Sequence, residues 1–325
     1  MLDRGRRRFL HHSLTLAGLS LLTGCSRLPV QTPARTLKRV GFLGVSLQPF
    51  HEAFFQAFRD LGYADGHNVS IERRYPEPIS RLPDLAAELV QRPVDLLIAA
   101  GTTPTLKRVT TTVPIVTIQT DTVESGYAAS LARPAGNVTG INLQSADLAT
   151  KRLELLKQAV PAASQIAMLA SGDGTVTQVR ALEAVASSLG VTLHHYDIRS
   201  VDGFGAAFAA ARADRAEAIL ALDQPLLTAQ RAQIIAFAAE HRLPAIYAQQ
   251  AFAVDGGLMT YGPNYADMFR RLAVFADKVL RGTPPGEIPM EQPTAFDFAV
   301  NLKTAQTHGI ALSQSTLAQA TEVIP

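Results

Sequence analysis

Val94-Asp95-Leu96-Leu97-Ile98-Ala99-Ala100 runs directly into Gly101-Thr102-Thr103-Pro104. Apart from Asp95 the first seven residues are apolar, and the run is closed by turn-forming residues. A segment this short and this uniformly apolar reads as a strand covered on both faces, because a half-solvated strand would alternate polar and apolar positions. Upstream, Val40-Gly41-Phe42-Leu43-Gly44-Val45 has the same character. Between the two lie a helical stretch with Phe54, Phe55, Phe58 and Leu61 on one face and Gly62 as its stop, a strand over 68–75, and a helix over 81–90. Downstream, residues 114–118 form a strand ending in Gln119-Thr120-Asp121, and residues 138–143 form a fifth.

The order then repeats. A helix over 151–159 precedes a strand over 165–170; a helix over 176–189 is stopped by Gly190; strands follow at 191–196, 218–222 and 245–247, with residues 226–241 the clearest of the intervening helices. Strands alternating with helices build parallel sheets covered on both faces. Two such series imply an α/β protein of two doubly wound lobes, with ligands bound outside the carboxyl ends of the strands. The last section breaks the alternation. Residues 257–261 are strand-like, residues 264–281 are a helix with Met268, Leu272, Phe275, Val279 and Leu280 on its apolar face, and Thr283-Pro284-Pro285-Gly286 interrupts the chain before an extended stretch over 287–300 that is suited to cross between lobes.

The first residues have a different logic. Arg4, Arg6, Arg7 and Arg8 precede an apolar run over 14–22 and then Leu22-Thr23-Gly24-Cys25. That order of basic, apolar and small residues is a secretory signal. The apolar run is about 9 residues, where a membrane span takes roughly 20. Arg6-Arg7-Arg8-Phe9-Leu10 resembles the twin-arginine export signal, and Leu22-Thr23-Gly24-Cys25 resembles the bacterial lipobox. The expectation is a signal peptide over 1–24, lipidation at Cys25 and a tether over 25–37. Cys25 is the sole cysteine, so it has no disulfide partner within the chain. The basic charge also resides here: four arginines against Asp3 account for +3 of the formal +2, which leaves the other 301 residues at −1. Without a concentrated basic face no nucleic-acid partner is expected.

Five further segments, in order, carry a family resemblance: Ser130-Leu131-Ala132-Arg133-Pro134, Gly136-Asn137-Val138-Thr139-Gly140, Gly256-Gly257-Leu258-Met259-Thr260-Tyr261-Gly262-Pro263-Asn264, Glu291-Gln292-Pro293-Thr294 and Asn301-Leu302-Lys303-Thr304-Ala305. From about residue 38 to 325 the chain resembles the ABC-transporter substrate-binding proteins of the tryptophan/tyrosine-type group. The resemblance implies a type I periplasmic-binding fold whose lobes are joined by a three-strand hinge. The N-terminal lobe would take 38–143 and 264–283, and the C-terminal lobe 144–263 and 284–325. It also implies delivery of a small solute, such as an aromatic amino acid or a related compound, to an ABC permease with its ATPase. The chain departs from the family pattern in cleft-facing loops. Asp121-Thr122-Val123 replaces Asp-Pro-Val, Leu47-Gln48-Pro49-Phe50-His51 places its histidine after the proline, and Gly172-Asp173-Gly174 replaces an Asn-Pro pair.

Candidate ligand-binding residues follow from the strand ends. Ser46, Gln48, Thr102 and Thr103 offer small polar groups where free backbone amides favour a carboxylate, or else cap their helices. Asp121, Asp173 and Asp223 end strands and suit an ammonium group, or serve as turn residues. Phe50 and Tyr247 offer apolar walls, with Tyr261 placed where the chain crosses the hinge. Adjacent His194 and His195 on a strand point to opposite faces, so no metal site is expected. Nor is a cofactor: Gly41-Phe42-Leu43-Gly44 is not a dinucleotide fingerprint. No catalytic constellation is present, and the protein is read as a non-enzymatic, monomeric, lipid-anchored receptor in the periplasm or at the cell surface. A receptor domain that feeds a membrane signalling partner would look the same in sequence.

Overall fold

The computed structural model describes residues 37–172 and 175–325. The expected signal segment, the lipidation residue Cys25 and the candidate Asp173 lie outside the described residues.

The first sheet is built from β1 (Lys38–Gly44), β2 (Val69–Arg74), β3 (Leu96–Ala100), β4 (Ile115–Thr120) and β5 (Val138–Leu143), all parallel, in the order β2-β1-β3-β4-β5. All five residues of β3 are buried, as a strand covered by helices on both faces requires. Helix α1 (His51–Asp60) lies on one face, with α2 (Leu82–Gln91) and α3 (Thr103–Val109) also flanking the sheet. Helix α1 seats Phe54, Phe55 and Phe58 in the core. Each phenylalanine taken fully from water is worth roughly 1.5–3 kcal/mol.

The second sheet follows from α4 (Ser145–Ala159), β6 (Gln165–Ala170), α5 (Val176–Ala186), β7 (Thr192–Asp197), α6 (Gly203–Ala213), β8 (Ala218–Ala221), α7 (Pro225–Ala229), α8 (Arg231–Glu240), β9 (Ala245–Tyr247), α9 (Gln250–Val254) and β10 (Met259–Pro263). Helix α10 (Tyr265–Leu280) then returns to the first lobe. Its Met268, Phe269, Leu272, Phe275 and Val279 join the core that holds the α1 phenylalanines, and Asn264 caps its start by accepting from the Asp267 amide at 2.8 Å. The chain ends with β11 (Phe296–Asn301), α11 (Leu302–His308), α12 (Gln314–Gln319) and β12 (Glu322–Ile324). The sheet order is β12-β11-β10-β9-β8-β6-β7, parallel except for the antiparallel β10–β11 pair.

Three features correct the sequence reading. The helix expected over 226–241 is two helices, α7 and α8, which meet at Gln230. Both bury the same side, through Leu227 and then Ile234, Phe237 and Ala238, so periodicity does not register the break. Helix α4 starts at Ser145 rather than 151. The boundary expected at residue 284 falls near 292 instead. Ile288 sits in the first core, the Met290 amide donates to Leu131 O at 2.8 Å, and Glu291 pairs with Gly140 and Asn142 along the edge of β5. The bidentate Arg271–Glu291 pair, both bonds at 2.6 Å, fastens this segment to α10. The three crossings are therefore β5 to α4, β10 to α10, and the stretch from Glu291 to β11, where the Asn264 amide donates to Ala295 O at 2.9 Å.

Candidate functional site

Where the order of strands in a parallel sheet reverses, the flanking loops leave on opposite faces and open a crevice. In the first sheet the reversal lies between β1 and β3; in the second it lies between β6 and β8. The loops that follow these four strands carry Ser46, Gln48 and Phe50, then Thr102, then the segment that includes Asp173, and then Asp223.

In the first of these loops the Ser46 hydroxyl accepts from Gln48 Nε2 at 2.9 Å, and Ser46 is exposed. Phe50 stacks on Tyr265 and Phe269, with ring centroids 5.0 and 5.4 Å apart. Behind it His51 is 3 % exposed, and burial pushes its pKa down to about 4. A cavity of about 350 Å³ opens beside this loop, lined by Leu47, Gln48, His51, Phe55, Arg73 and Tyr75, within the size range of small-molecule sites. A smaller one, about 170 Å³, lies near Arg39, Ser70 and Arg92. It sits at the far ends of the strands, so topology makes it the weaker candidate.

Thr102 and Thr103 are placed differently from the expectation that their hydroxyls meet a ligand. Both are fully buried. Thr102 Oγ1 donates to Leu43 O at 2.8 Å. Thr103 Oγ1 lies 2.6 Å from Thr117 Oγ1, which itself donates to Ala99 O at 3.1 Å. These hydroxyls tie β1, β3 and β4 together beneath the crevice. Asp121 adopts the left-handed region at φ 48, and its Oδ2 accepts from Ser145 Oγ at 2.9 Å, which links β4 to the first crossing. Burial raises its pKa and the Ser145 bond opposes that rise.

Tyr247 corrects a second expectation. It is fully buried and stacks on Phe252 at 4.4 Å inside the core of the second lobe, so it lines no cleft. Its hydroxyl has no hydrogen-bond partner, and burial raises its pKa. Tyr247→Phe is accordingly expected to leave stability unchanged or raise it by about 1 kcal/mol, since an unpaired buried hydroxyl costs more than it contributes. Denaturant unfolding measures this, and a clear loss of stability would show that the hydroxyl is satisfied.

Asp223 is the candidate best placed between the lobes. Its Oδ2 accepts from the Tyr265 hydroxyl at 2.7 Å and its Oδ1 from Gln249 Nε2 at 2.9 Å. Tyr265 opens α10 and packs on the first core, whereas Asp223 follows β8, so the bond spans the two lobes. Burial, and then the Asp223 carboxylate, raise the Tyr265 pKa well above its ordinary value. Beneath them Arg152 of α4 is 1 % exposed, and its Nε donates to Tyr261 O at 2.8 Å. Burial lowers the Arg152 pKa, opposed by the charges of Asp223, Tyr265 and Tyr261.

Sequence reasoning missed Arg152, Tyr265 and Gln249. Arg152 did leave a signal: positions 145, 149, 152, 156 and 159 form one buried stripe of α4, and a charged residue on such a stripe demands a partner. Tyr265 precedes Met268 and Phe269 at helical spacing and reads as core alone. Among the described residues no cluster of His, Cys, Asp or Glu is arranged to hold a metal; His194 Nε2 instead meets Gln165 Oε1 at 2.8 Å.

Known proteins share this fold. A tyrosine-binding protein of Clostridioides difficile (strain R20291) is 26 % identical over 307 residues, covering 88 % of each chain. The solved structure of an ABC domain from Streptococcus pneumonia in complex with L-Trp superposes with a TM-score of 0.80 at 22 % identity, over 89 % of this chain and all of that one. The ligand-free, open structure of a substrate binding protein with adhesive properties from Clostridium difficile gives 0.65 at 21 % identity, over 89 % and 99 %. The model of the ABC transporter substrate binding protein family matches residues 44–324. With its two switch-point lobes and three crossings, the chain belongs to that family.

Proposed function

We propose that the protein captures an aromatic amino acid, or a closely related zwitterion, between its lobes and presents it to an ABC permease with its ATPase. The carrying observation is the bond between Asp223 and Tyr265, which puts a carboxylate of one lobe against the aromatic wall of the other. In this reading Asp223 receives the ligand ammonium, Phe50 and Tyr265 flank its ring, and Ser46 and Gln48 supply hydrogen bonds from the first switch point. Asp121, after β4, is a further candidate for the ammonium, and Asp173 remains one on sequence alone. The tyrosine-binding relative and the L-Trp complex support this ligand class.

The mechanism is hinge closure. A ligand that touches both lobes only when they are closed shifts the population toward the closed state by its differential affinity. Proteins of this family act outside the cytoplasm. The export signal over 1–24 and a lipid on Cys25 would hold this one, as a monomer, at the membrane where the permease lies, and the sequence of residues 6–10 and 22–25 supports that placement. Among the described residues no helix is long and apolar enough to cross a membrane.

Thermal unfolding with L-tryptophan, L-tyrosine, other amino acids and nucleosides tests the ligand class. A cognate ligand at 100-fold over its Kd adds about 2.7 kcal/mol of stability. Small-angle scattering with the same ligand should show compaction. Stabilisation by nucleosides with none by aromatic amino acids would overturn the ligand class, and tight binding without compaction would overturn hinge closure.

A further inference from the structure

Arg152 poses an unsolved charge problem. It is among the largest fully buried side chains of the protein. Its Nε is used by Tyr261 O on β10, but its Nη1 is buried without any partner. A buried cation is tolerated when it is paired and hydrogen-bonded. Among the described residues no carboxylate is bonded to it: Asp223 acts on it through space, and both Asp223 oxygens are engaged by Tyr265 and Gln249.

The guanidinium lies close enough to Asp223 and Tyr265 for their charges to act on it. Helix α4 begins at the first crossing, where Ser145 meets Asp121, and long helical side chains lean toward the helix N-terminus. The Tyr261 carbonyl that anchors Nε lies two residues before β10 ends at the second crossing. The Tyr265–Asp223 bond stands beside the guanidinium. Tyr265 packs on the first core and Asp223 follows β8 of the second sheet, so in the proposed hinge opening the two would part next to it.

We infer that Arg152 is the residue that binds the carboxylate of the captured ligand, with Nη1 the donor held open for it. The inference rests on the solute-capture reading above and deepens it. Arg152 and Asp223 together present a cation and an anion side by side at the hinge end of the cleft. That pair matches the carboxylate and ammonium of a free α-amino acid and discriminates against an amine that lacks the carboxylate. A purely structural arginine, fixing the hinge strand through Nε, would affect every ligand equally.

The test is titration calorimetry on the full chain with L-tryptophan and L-tyrosine, and with tryptamine and tyramine, which lack only the carboxylate. The wild type should prefer an amino acid over its amine by at least about 30-fold, the loss expected when one partner of a buried charge pair is removed. Arg152→Gln, which keeps a donor for Tyr261 O, should weaken amino-acid binding by a similar factor and leave amine binding within about 3-fold. Arg152→Lys, which keeps the charge, should fall between, and it carries the same comparison if the glutamine variant does not fold. Equal weakening of amino acid and amine, or no weakening of either, would overturn the assignment and leave Arg152 as a hinge support. A wild type that binds amine and amino acid equally would also overturn it while leaving solute capture standing. Binding of none of the four probes would overturn the amino-acid reading itself and this assignment with it.

Discussion

Gly140→Ala should lower the stability of the protein by roughly 3–5 kcal/mol, at the upper end of what single substitutions do. Gly140 lies in β5 directly opposite Thr117 of β4, with φ at +136, a region that residues with a β-carbon rarely occupy. A β-carbon there would lie 2.0 Å from the Thr117 carbonyl oxygen and 2.8 Å from its amide nitrogen. Both are backbone atoms of a central strand, so neither can turn aside. The other side is also occupied, since Gly140 O accepts the Glu291 amide at 2.9 Å in the third inter-lobe segment. Relief would part β4 from β5, shift Thr117 away from Thr103 and loosen the crossing into α4. Gly66→Ala is the control. Gly66 also has positive φ, at +79, but nothing lies within 4 Å of its β-carbon position, so only the backbone preference of about 1 kcal/mol is lost. Urea unfolding of both variants decides the matter, and equal losses would refute the steric account.

Asp223→Ala should be the most damaging substitution for ligand capture, weakening the Kd for the cognate amino acid by about 100-fold or more, in the range found for truncating one member of a buried charge pair. Three consequences converge on it. In the proposed binding mode the ligand ammonium loses its carboxylate. Tyr265 and Gln249 lose their acceptor, which frees the aromatic wall of the first lobe from the second. Arg152 loses the charge that offsets its burial. The third consequence also gives a stability signature without ligand: a loss on the order of 2–3 kcal/mol, because an uncompensated buried charge remains. Combining Asp223→Ala with Arg152→Met should then cost less than the sum of the two single substitutions, as coupled neighbours do. Additive losses would show that the two side chains do not sense one another. Unchanged affinity in Asp223→Ala would remove Asp223 from the binding site.

Much of the fold was legible because fully buried strands advertise themselves. β5, β6 and β9 begin and end where the sequence reading put them. The order of strands and helices followed, and with it the strand ends from which the loops carrying Ser46, Gln48, Phe50 and Asp223 emerge. Direction within the site was not legible. Thr102 and Thr103 occupy a switch-point loop as expected, yet Leu43 O and Thr117 draw their hydroxyls inward. Tyr247 ends a strand as expected, but the strand is buried on both faces and the ring finds Phe252. Arg152 was hidden in a stripe that otherwise reads as core.

The sequence by itself determined the local elements, their alternation in two series and the presence of a crossing segment after Pro285, since each depends on periodicities and turn residues within a few neighbours. The tertiary structure decided which partners the polar groups meet. Arg152 is anchored by a carbonyl 109 residues away and Asp223 is met by a tyrosine 42 residues on. Such contacts are set only when the helices pack and the hinge strands return between the lobes, because the direction of a side chain is fixed by whichever distant group completes its hydrogen bonds.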